Sequence, residues 1–208
     1  MTLPYNPDGS PRPASALATI CPCVIDDTAH VSVSTHVDPG VRIGAGVHIL
    51  GGWISDHVVI EDECTIEMSY IGPHAIIRSH ANITNSNIGG RSHIQSWATI
   101  NHARLGSRVS IASHTHIRNG TQIGDGTSIY AHVVISTGVR IGSHVTICMD
   151  ARVHADYVGD WTYIGYGAYL EERVRTGIRS RIKENVHVPA GRRIPMVGSR
   201  YQGWECDR

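Results

Sequence analysis

The sequence predicts an all-β protein built as a parallel solenoid, and three observations support this prediction. An aliphatic residue recurs at every sixth position over residues 105–153; the series is Leu105, Ile111, Ile117, Ile123, Ile129, Ile135, Ile141, Ile147 and Val153. The residue four positions after each of the first eight is small or β-branched, as at Val109, Thr115 and Ala151. Phe is absent and Gly occurs 22 times. A period of six fits neither a helix nor a flat strand, and it indicates one short strand and one turn per hexad.

The repeat resembles that of the left-handed parallel β-helix superfamily, the hexapeptide-repeat proteins. The resemblance implies that the aliphatic residue fills the interior and that the small residue four positions later lies at a narrow corner. The segment "IDDTAHVSVSTHVDPGVRIGAGVHI", residues 25–49, is similar to the opening coils of many hexapeptide transferases. We therefore expect a left-handed parallel β-helix, which is the main exception to right-handed parallel crossovers.

Three segments follow from the pattern. Residues 1–24 include Pro4, Pro11 and Pro13 and are predicted to be an extended lead-in. Hexads over residues 25–170 predict the β-helix. Residues 171–208 are predicted to be a closing coil and a polar tail, because "VHVPAGRRIPMVGSR" resembles the closing strand of the superfamily.

The hexad spacing changes regularly in the first half of the chain. The aliphatic positions are 54, 60, 66, 71, 77, 83, 88, 94, 100 and 105, which are steps of six, six and five. Three hexads form one triangular coil, so each of these coils is predicted to be one residue short at one corner. One further step of five separates Val153 from Val158.

Composition narrows the function classes. The 18 basic and 18 acidic residues cancel, so neither general nucleic-acid binding nor membrane attraction is indicated. Five Cys and no recognisable secretory signal predict a reducing, cytoplasmic location. Cys21 and Cys23 form only a C-x-C pair, which is weak support for structural zinc. No apolar run is long enough to span a membrane.

The 14 His predict outward-facing columns, because residues one coil apart stack along the solenoid. One column contains Glu63, His80, Trp97, His114, His132 and Asp150. Its catalytic candidates are His114, His132 and Asp150, since an Asp beside a His fixes the imidazole tautomer for general-base work. Two adjacent His are also half of a metal site. The alternative is a solvated outer ladder without chemistry.

A second catalytic candidate is the pair Asn101 and His102. Residues 82–115 resemble the acetyltransferase domain of the bifunctional enzyme that forms UDP-N-acetylglucosamine, and sugar-nucleotide pyrophosphorylases carry similar coils. Several hexapeptide acyltransferases place a catalytic His four residues before the I-G or L-G of the next hexad. That slot holds Thr84, Asn101 and Asn119 here, so the resemblance carries the architecture rather than that activity.

The γ-class carbonic anhydrases share this fold and bind a metal, usually zinc or iron, through three His at a subunit interface. Matching their spacing places His80 and His114 in two of the three ligand positions and Asn119 in the third. Under this alternative the candidate zinc ligands are His80, His114, His116 and His132.

The leading hypothesis is transfer of an acyl group from acyl-CoA to an amino or hydroxyl group of a small, sugar-like acceptor. A neutral His would take the acceptor proton, and backbone N–H groups would hold the thioester oxygen. Arg192, Arg193 and Arg200 are the candidates for contacting CoA phosphates. A metal-dependent lyase or hydratase and a non-catalytic scaffold are the alternatives. The resemblance also implies a homotrimer, with Trp97, His114 and His132 on an interface.

Overall fold

The protein is a left-handed parallel β-helix of about ten coils, and the computed structural model describes residues 23–196. Inward-pointing aliphatic residues occur in nearly every strand of the β-helix and stack into one continuous core. No helix occurs among the described residues, and so none of them forms a helix that could cross a bilayer. The predicted fold class is confirmed.

The strands lie on three flat faces. Face A is one ten-stranded parallel sheet. Its strands are Val24–Ile25, Arg42–Ile43, Val59–Ile60, Ile76–Ile77, His93–Ile94, Ser110–Ile111, Ser128–Ile129, Thr146–Ile147, Tyr163–Ile164 and Arg181–Ile182.

Faces B and C form one eighteen-stranded sheet, because the two long strands His48–Ile54 and Thr65–Ile71 turn the corner between them. The other strands of face B are His30–Val31, Asn82–Thr84, Thr99–Asn101, His116–Ile117, Val134–Ile135, Arg152–Val153, Tyr169–Leu170 and His187–Val188. The other strands of face C are Thr35–Val37, Asn87–Ile88, Arg104–Leu105, Gln122–Ile123, Arg140–Ile141, Tyr157–Val158, Arg175–Thr176 and Arg193–Ile194.

The strand register confirms the shortened coils. Ile71 pairs with Ile88 and Ile88 with Leu105, partners 17 residues apart, whereas Leu105 pairs with Ile123 at 18. The missing residue is at corner BC, the turn that joins face B to face C. Ser69 and Ser86 are buried there, and the Ser86 hydroxyl accepts a hydrogen bond from the Ala103 N–H at 3.1 Å. A small polar side chain thereby satisfies a backbone N–H of the next coil at this turn.

The small residues predicted for the corners are buried as expected. Thr115, Thr121 and Thr127 are fully enclosed, and the Thr115 hydroxyl donates to the Tyr130 carbonyl at 2.9 Å. Cys64 is likewise a small core residue. The ladder continues past Leu170 to Arg193–Ile194, within the predicted closing coil. The division into three segments stays a prediction, and residues 1–22 and 197–208 lie outside the described residues.

Candidate functional site

The predicted column of Glu63, His80, Trp97, His114, His132 and Asp150 follows corner AB, where face A turns into face B. All six residues have a positive φ, between 57° and 64°. Among residues that carry a Cβ, His, Asn and Asp adopt this left-handed conformation most readily. The same conformation occurs at His57, His74, His102 and His144 on the other two corners. Much of the histidine content therefore has a backbone explanation.

The rings of this column stack along the solenoid axis. The ring centroids of His80 and Trp97 are 4.1 Å apart, those of Trp97 and His114 6.2 Å, and those of His114 and His132 5.1 Å. All four side chains are exposed. Within residues 23–196 no hydrogen bond or ion pair joins His132 to Asp150. The carboxylate does not orient this imidazole within one chain, and the column stays a predicted site.

The metal alternative does not fit the geometry of a single chain. His114 and His132 are parallel to within 1°, so their nitrogen lone pairs lie in separate planes and do not converge on one ion. His116 lies outward on face B, in the strand His116–Ile117, rather than in the stack. No group of three or more His, Cys, Asp or Glu among the described residues is arranged to hold a metal ion.

Asn101 and His102 lie at corner BC. The Asn101 side chain is half-buried, and its Oδ1 accepts a hydrogen bond from the Thr84 hydroxyl one coil earlier. His102 is exposed at a φ of 47° and borders a shallow depression of about 430 Å³ that Met68 and Tyr70 also line. The hydrogen bond of Asn101 therefore links two adjacent coils, whereas His102 is accessible from solvent.

Two of the three arginines predicted to bind CoA lie in the last described coil. Arg192 and Arg193 are both exposed there, and Arg193 begins the last strand of face C. Arg200 lies outside the described residues.

The structure singles out His154, which sequence reasoning missed. All 14 His lie within the described residues; His154 is half-buried and the other thirteen are exposed. Its Nδ1 lies 3.0 Å from the Ser136 hydroxyl oxygen, one coil earlier. The edge of the ring meets Tyr169 at 81°, with the centroids 5.4 Å apart. Burial, a polar partner on one nitrogen and an aromatic wall together fix this imidazole in a defined orientation.

A carboxylate occupies the next coil of the same column. Glu171 Oε1 lies 2.7 Å from Nε2 of His187, and its Oε2 accepts the Ala190 N–H at 2.9 Å. The hydrogen bond with His187 lowers the pKa of the Glu171 carboxyl most, followed by that from Ala190; the charge of His154 adds to the same direction. Hydrogen bonds to both oxygens thus hold the Glu171 carboxylate in the coil next to His154.

His154 stands in the slot that the acyltransferase resemblance marks for a catalytic His. It lies four residues before Val158-Gly159, as Asn101 lies four before Leu105-Gly106. The sequence feature that marks this slot is the isolated five-residue step from Val153 to Val158, which indicates another shortened corner BC. The slot was missed because the closing dipeptide is V-G rather than I-G or L-G.

A comparison with protein-family models decides the family. The model described as the GMPPB C-terminal domain matches residues 19–123, half of the chain. The chain belongs to the GMPPB C-terminal domain family. The match includes the ring column through His114 as well as Asn101 and His102. Ser136, His154 and Glu171 follow it, so the family relationship says nothing about them. Among curated protein sequences, no significant match is found.

Three solved structures similar to this chain contain an acyltransferase or an acetyltransferase. UDP-N-acetylglucosamine O-acyltransferase from Moraxella catarrhalis is 22% identical, with 77% of this chain and 65% of that chain covered and a TM-score of 0.48. The acetyltransferase domain of PglB from Neisseria gonorrhoeae, in complex with acetyl coenzyme A, is 17% identical, with 83% and 58% covered and a TM-score of 0.28. A variant of GDP-perosamine N-acetyl transferase from Caulobacter crescentus, in complex with CoA and GDP-perosamine, is 18% identical, with 79% and 51% covered and a TM-score of 0.29. The chain spans less than two thirds of the length of each of these three proteins.

Proposed function

We propose that the protein transfers an acyl group from acyl-CoA to an amino or hydroxyl group of a small, sugar-like acceptor, with His154 as the general base. The observation that carries this proposal is the hydrogen bond of 3.0 Å between Ser136 and the half-buried His154. An exposed imidazole without a partner samples many orientations, whereas a base has to lie within hydrogen-bond reach of the proton that it removes.

Ser136 sets the tautomer in this proposal. When its hydroxyl accepts the Nδ1–H of His154, the lone pair of Nε2 is the one available to the acceptor nucleophile. Proton transfer to Nε2 then accompanies attack on the thioester carbonyl, and the proton passes from His154 to the departing thiolate of CoA. Glu171 stabilises the transient imidazolium electrostatically. His154 is the catalytic residue, and Ser136 and Glu171 position and support it.

We also propose that the working form is a homotrimer. Each β-helix has three flat faces, and the ring column at corner AB exposes Trp97 beside His80 and His114. An exposed aromatic side chain of this size is typical of an interface.

A non-catalytic scaffold is the second candidate function. It is favoured by the uninterrupted ladder over residues 24–194, in which only short turns connect the described strands. Such a solenoid has the rigidity of a spacer. The two candidates differ in whether acyl-CoA is bound and turned over.

The test is release of CoA thiol from acetyl-CoA in the presence of UDP- and GDP-linked amino sugars. Wild-type protein is expected to turn over at least one of these acceptors. His154→Ala is expected to lower kcat by about 10²-fold or more, since that is the usual contribution of a general base. Ser136→Ala is expected to lower kcat less and to shift its pH profile, because the imidazole is retained without its orienting partner.

The matched control is His132→Ala, which removes an exposed imidazole from the ring column. It is expected to retain wild-type turnover. If His132→Ala lost turnover and His154→Ala did not, the general base would be assigned to the predicted column at corner AB. If wild-type protein neither bound acetyl-CoA in calorimetry nor turned it over, the scaffold function would be favoured.

A further inference from the structure

Charge is distributed unevenly along the solenoid, although the net charge of the chain is zero. Residues 23–85 contain eight acidic and two basic side chains, whereas residues 86–196 contain seven acidic and thirteen basic ones. The first coils are therefore negative and the later coils positive by the same amount. A positive surface of this size raises the local concentration of anions.

Arginines repeat in the outward column of face C. Strand pairing places Arg104 beside Gln122, Gln122 beside Arg140, Arg140 beside Tyr157, Tyr157 beside Arg175 and Arg175 beside Arg193. The four arginines are exposed and Tyr157 is half-buried. Adjacent strands lie roughly 4.8 Å apart, so Arg140 and Arg175 project from backbones about 10 Å apart on either side of Tyr157.

Within residues 23–196, none of Arg104, Arg140, Arg175 and Arg193 forms an ion pair with Asp or Glu. Other basic side chains do have contacts, since Arg78 pairs with Glu61 and Arg181 lies 5.1 Å from the centroid of Tyr163.

Three carboxylates at the edges of face C are engaged elsewhere, whereas the exposed Asp156 directly precedes Tyr157. Asp125 accepts the Ser107 N–H at 2.7 Å, and Asp160 accepts the Ser143 N–H at 2.8 Å. Glu171 is held by His187 and Ala190. Arginines in one column with little internal compensation are available to an external anion.

We propose that face C binds a diphosphate group between Arg140 and Arg175, with Tyr157 beneath it. Guanidinium groups match phosphate oxygens in bidentate geometry. Two arginines on either side of Tyr157 match the two phosphates of a diphosphate, whereas a single phosphate would need only one. The hydroxyl of Tyr157 is a further hydrogen-bond donor. Tyr157 follows His154 by three residues across corner BC, so the bound diphosphate lies close to the candidate base. A nucleoside diphosphate and CoA both carry this group.

Calorimetry with inorganic pyrophosphate tests the proposal. The double variant Arg140→Gln/Arg175→Gln is expected to raise the Kd for pyrophosphate by about tenfold or more, given the strength of charge-assisted hydrogen bonds. The control is Arg152→Gln/Arg181→Gln, which removes two charges from the same positive coils but from faces B and A. Its Kd is expected to change by less than about twofold, as for contributions of the general field alone. Circular dichroism checks that both variants are folded.

Two results would overturn the proposal. One is failure of wild-type protein to bind pyrophosphate, and the other is equal weakening in the two double variants, which would show only a general electrostatic field. Titrations with uridine diphosphate and with CoA then identify the source, because the double variant loses affinity for the ligand whose diphosphate occupies the site. Binding is measured without turnover, and His154→Ala is expected to bind pyrophosphate normally. The diphosphate site is therefore tested independently of acyl transfer.

Discussion

One residue type has three different roles in this protein, according to the backbone and the neighbours around it. His80, His114 and His132 lie in left-handed turns and, with Trp97 between the first two, form one stack of rings. His116 points outward from a strand. His154 alone is half-buried, with a hydroxyl 3.0 Å from its Nδ1. Side-chain identity therefore says little about chemistry here until the partners of each imidazole are known.

Cys64 is expected to be chemically inert in the folded protein. Burial raises the pKa of its thiol from 9.0 to about 11, and the thiolate is the reactive form. Iodoacetamide at pH 8 is expected to leave Cys64 unmodified in native protein and to modify it in denaturant, as followed by peptide mass spectrometry. Half-buried Cys148 is the internal control and is expected to react faster. Equal rates in native protein would contradict the prediction.

The same thiol makes stability pH-dependent at the alkaline end. In the unfolded chain Cys64 loses its proton near pH 9, whereas in the folded protein it keeps the proton until about pH 11. The folded state then binds more protons, so the free energy of unfolding falls as pH rises between these values. Cys64→Ala is expected to remove this contribution, which denaturant titrations at pH 8 and pH 10 would measure.

At the scale of the element, most strands have only two residues and owe their stability to stacking. Isolated strand pairs are marginal in water, but each coil here pairs with the coils above and below it. In most of the two-residue strands the second residue is aliphatic and lies in the core, while the first lies towards the surface. Ile117 and His116 illustrate this, since the first is 1% exposed and the second is exposed.

Ile117→Asp is expected to unfold the protein, because an isolated carboxylate would enter the apolar stack at a cost of several kcal/mol. His116→Asp is the matched control in the same strand, and it is expected to melt within a few degrees of wild type. Thermal melting by circular dichroism measures both. A folded Ile117→Asp protein with an unchanged Tm would show that the stack tolerates a buried charge.

For the whole molecule, flat faces and exposed rings favour association of three copies. Light scattering is expected to give three times the chain mass of 22.6 kDa. Trp97→Arg is expected to reduce this mass, because it places a charge where an aromatic side chain would be buried between copies.

Trp161→Arg is the control for this association experiment. Trp161 also has a positive φ, is exposed and stacks on a His at 4.1 Å, but it lies at corner CA, between faces C and A. The control is expected to keep the trimer mass. A mass of 22.6 kDa for wild type across concentrations would contradict the trimer.

The sequence by itself predicted a solenoid, since every sixth residue from Leu105 to Val153 is aliphatic and a six-residue period fits neither a helix nor a flat strand. Its resemblance to the hexapeptide-repeat superfamily added the left-handed β-helix. The sequence also located the shortened corners, because steps of six, six and five leave one turn with a residue fewer. These properties are local and repeat along the chain, so they are visible without coordinates.

Only the tertiary structure decided which side chains meet. Ser136 and His154 are 18 residues apart, and their contact depends on how far corner BC bends and on which way each side chain turns. The arginine column of face C and the stacking of His114 on His132 likewise depend on pairing between coils. A sequence repeat specifies that adjacent coils stack. Burial and hydrogen bonding at a corner depend on the three-dimensional arrangement of the side chains, and these two properties distinguish His154 among the 14 His.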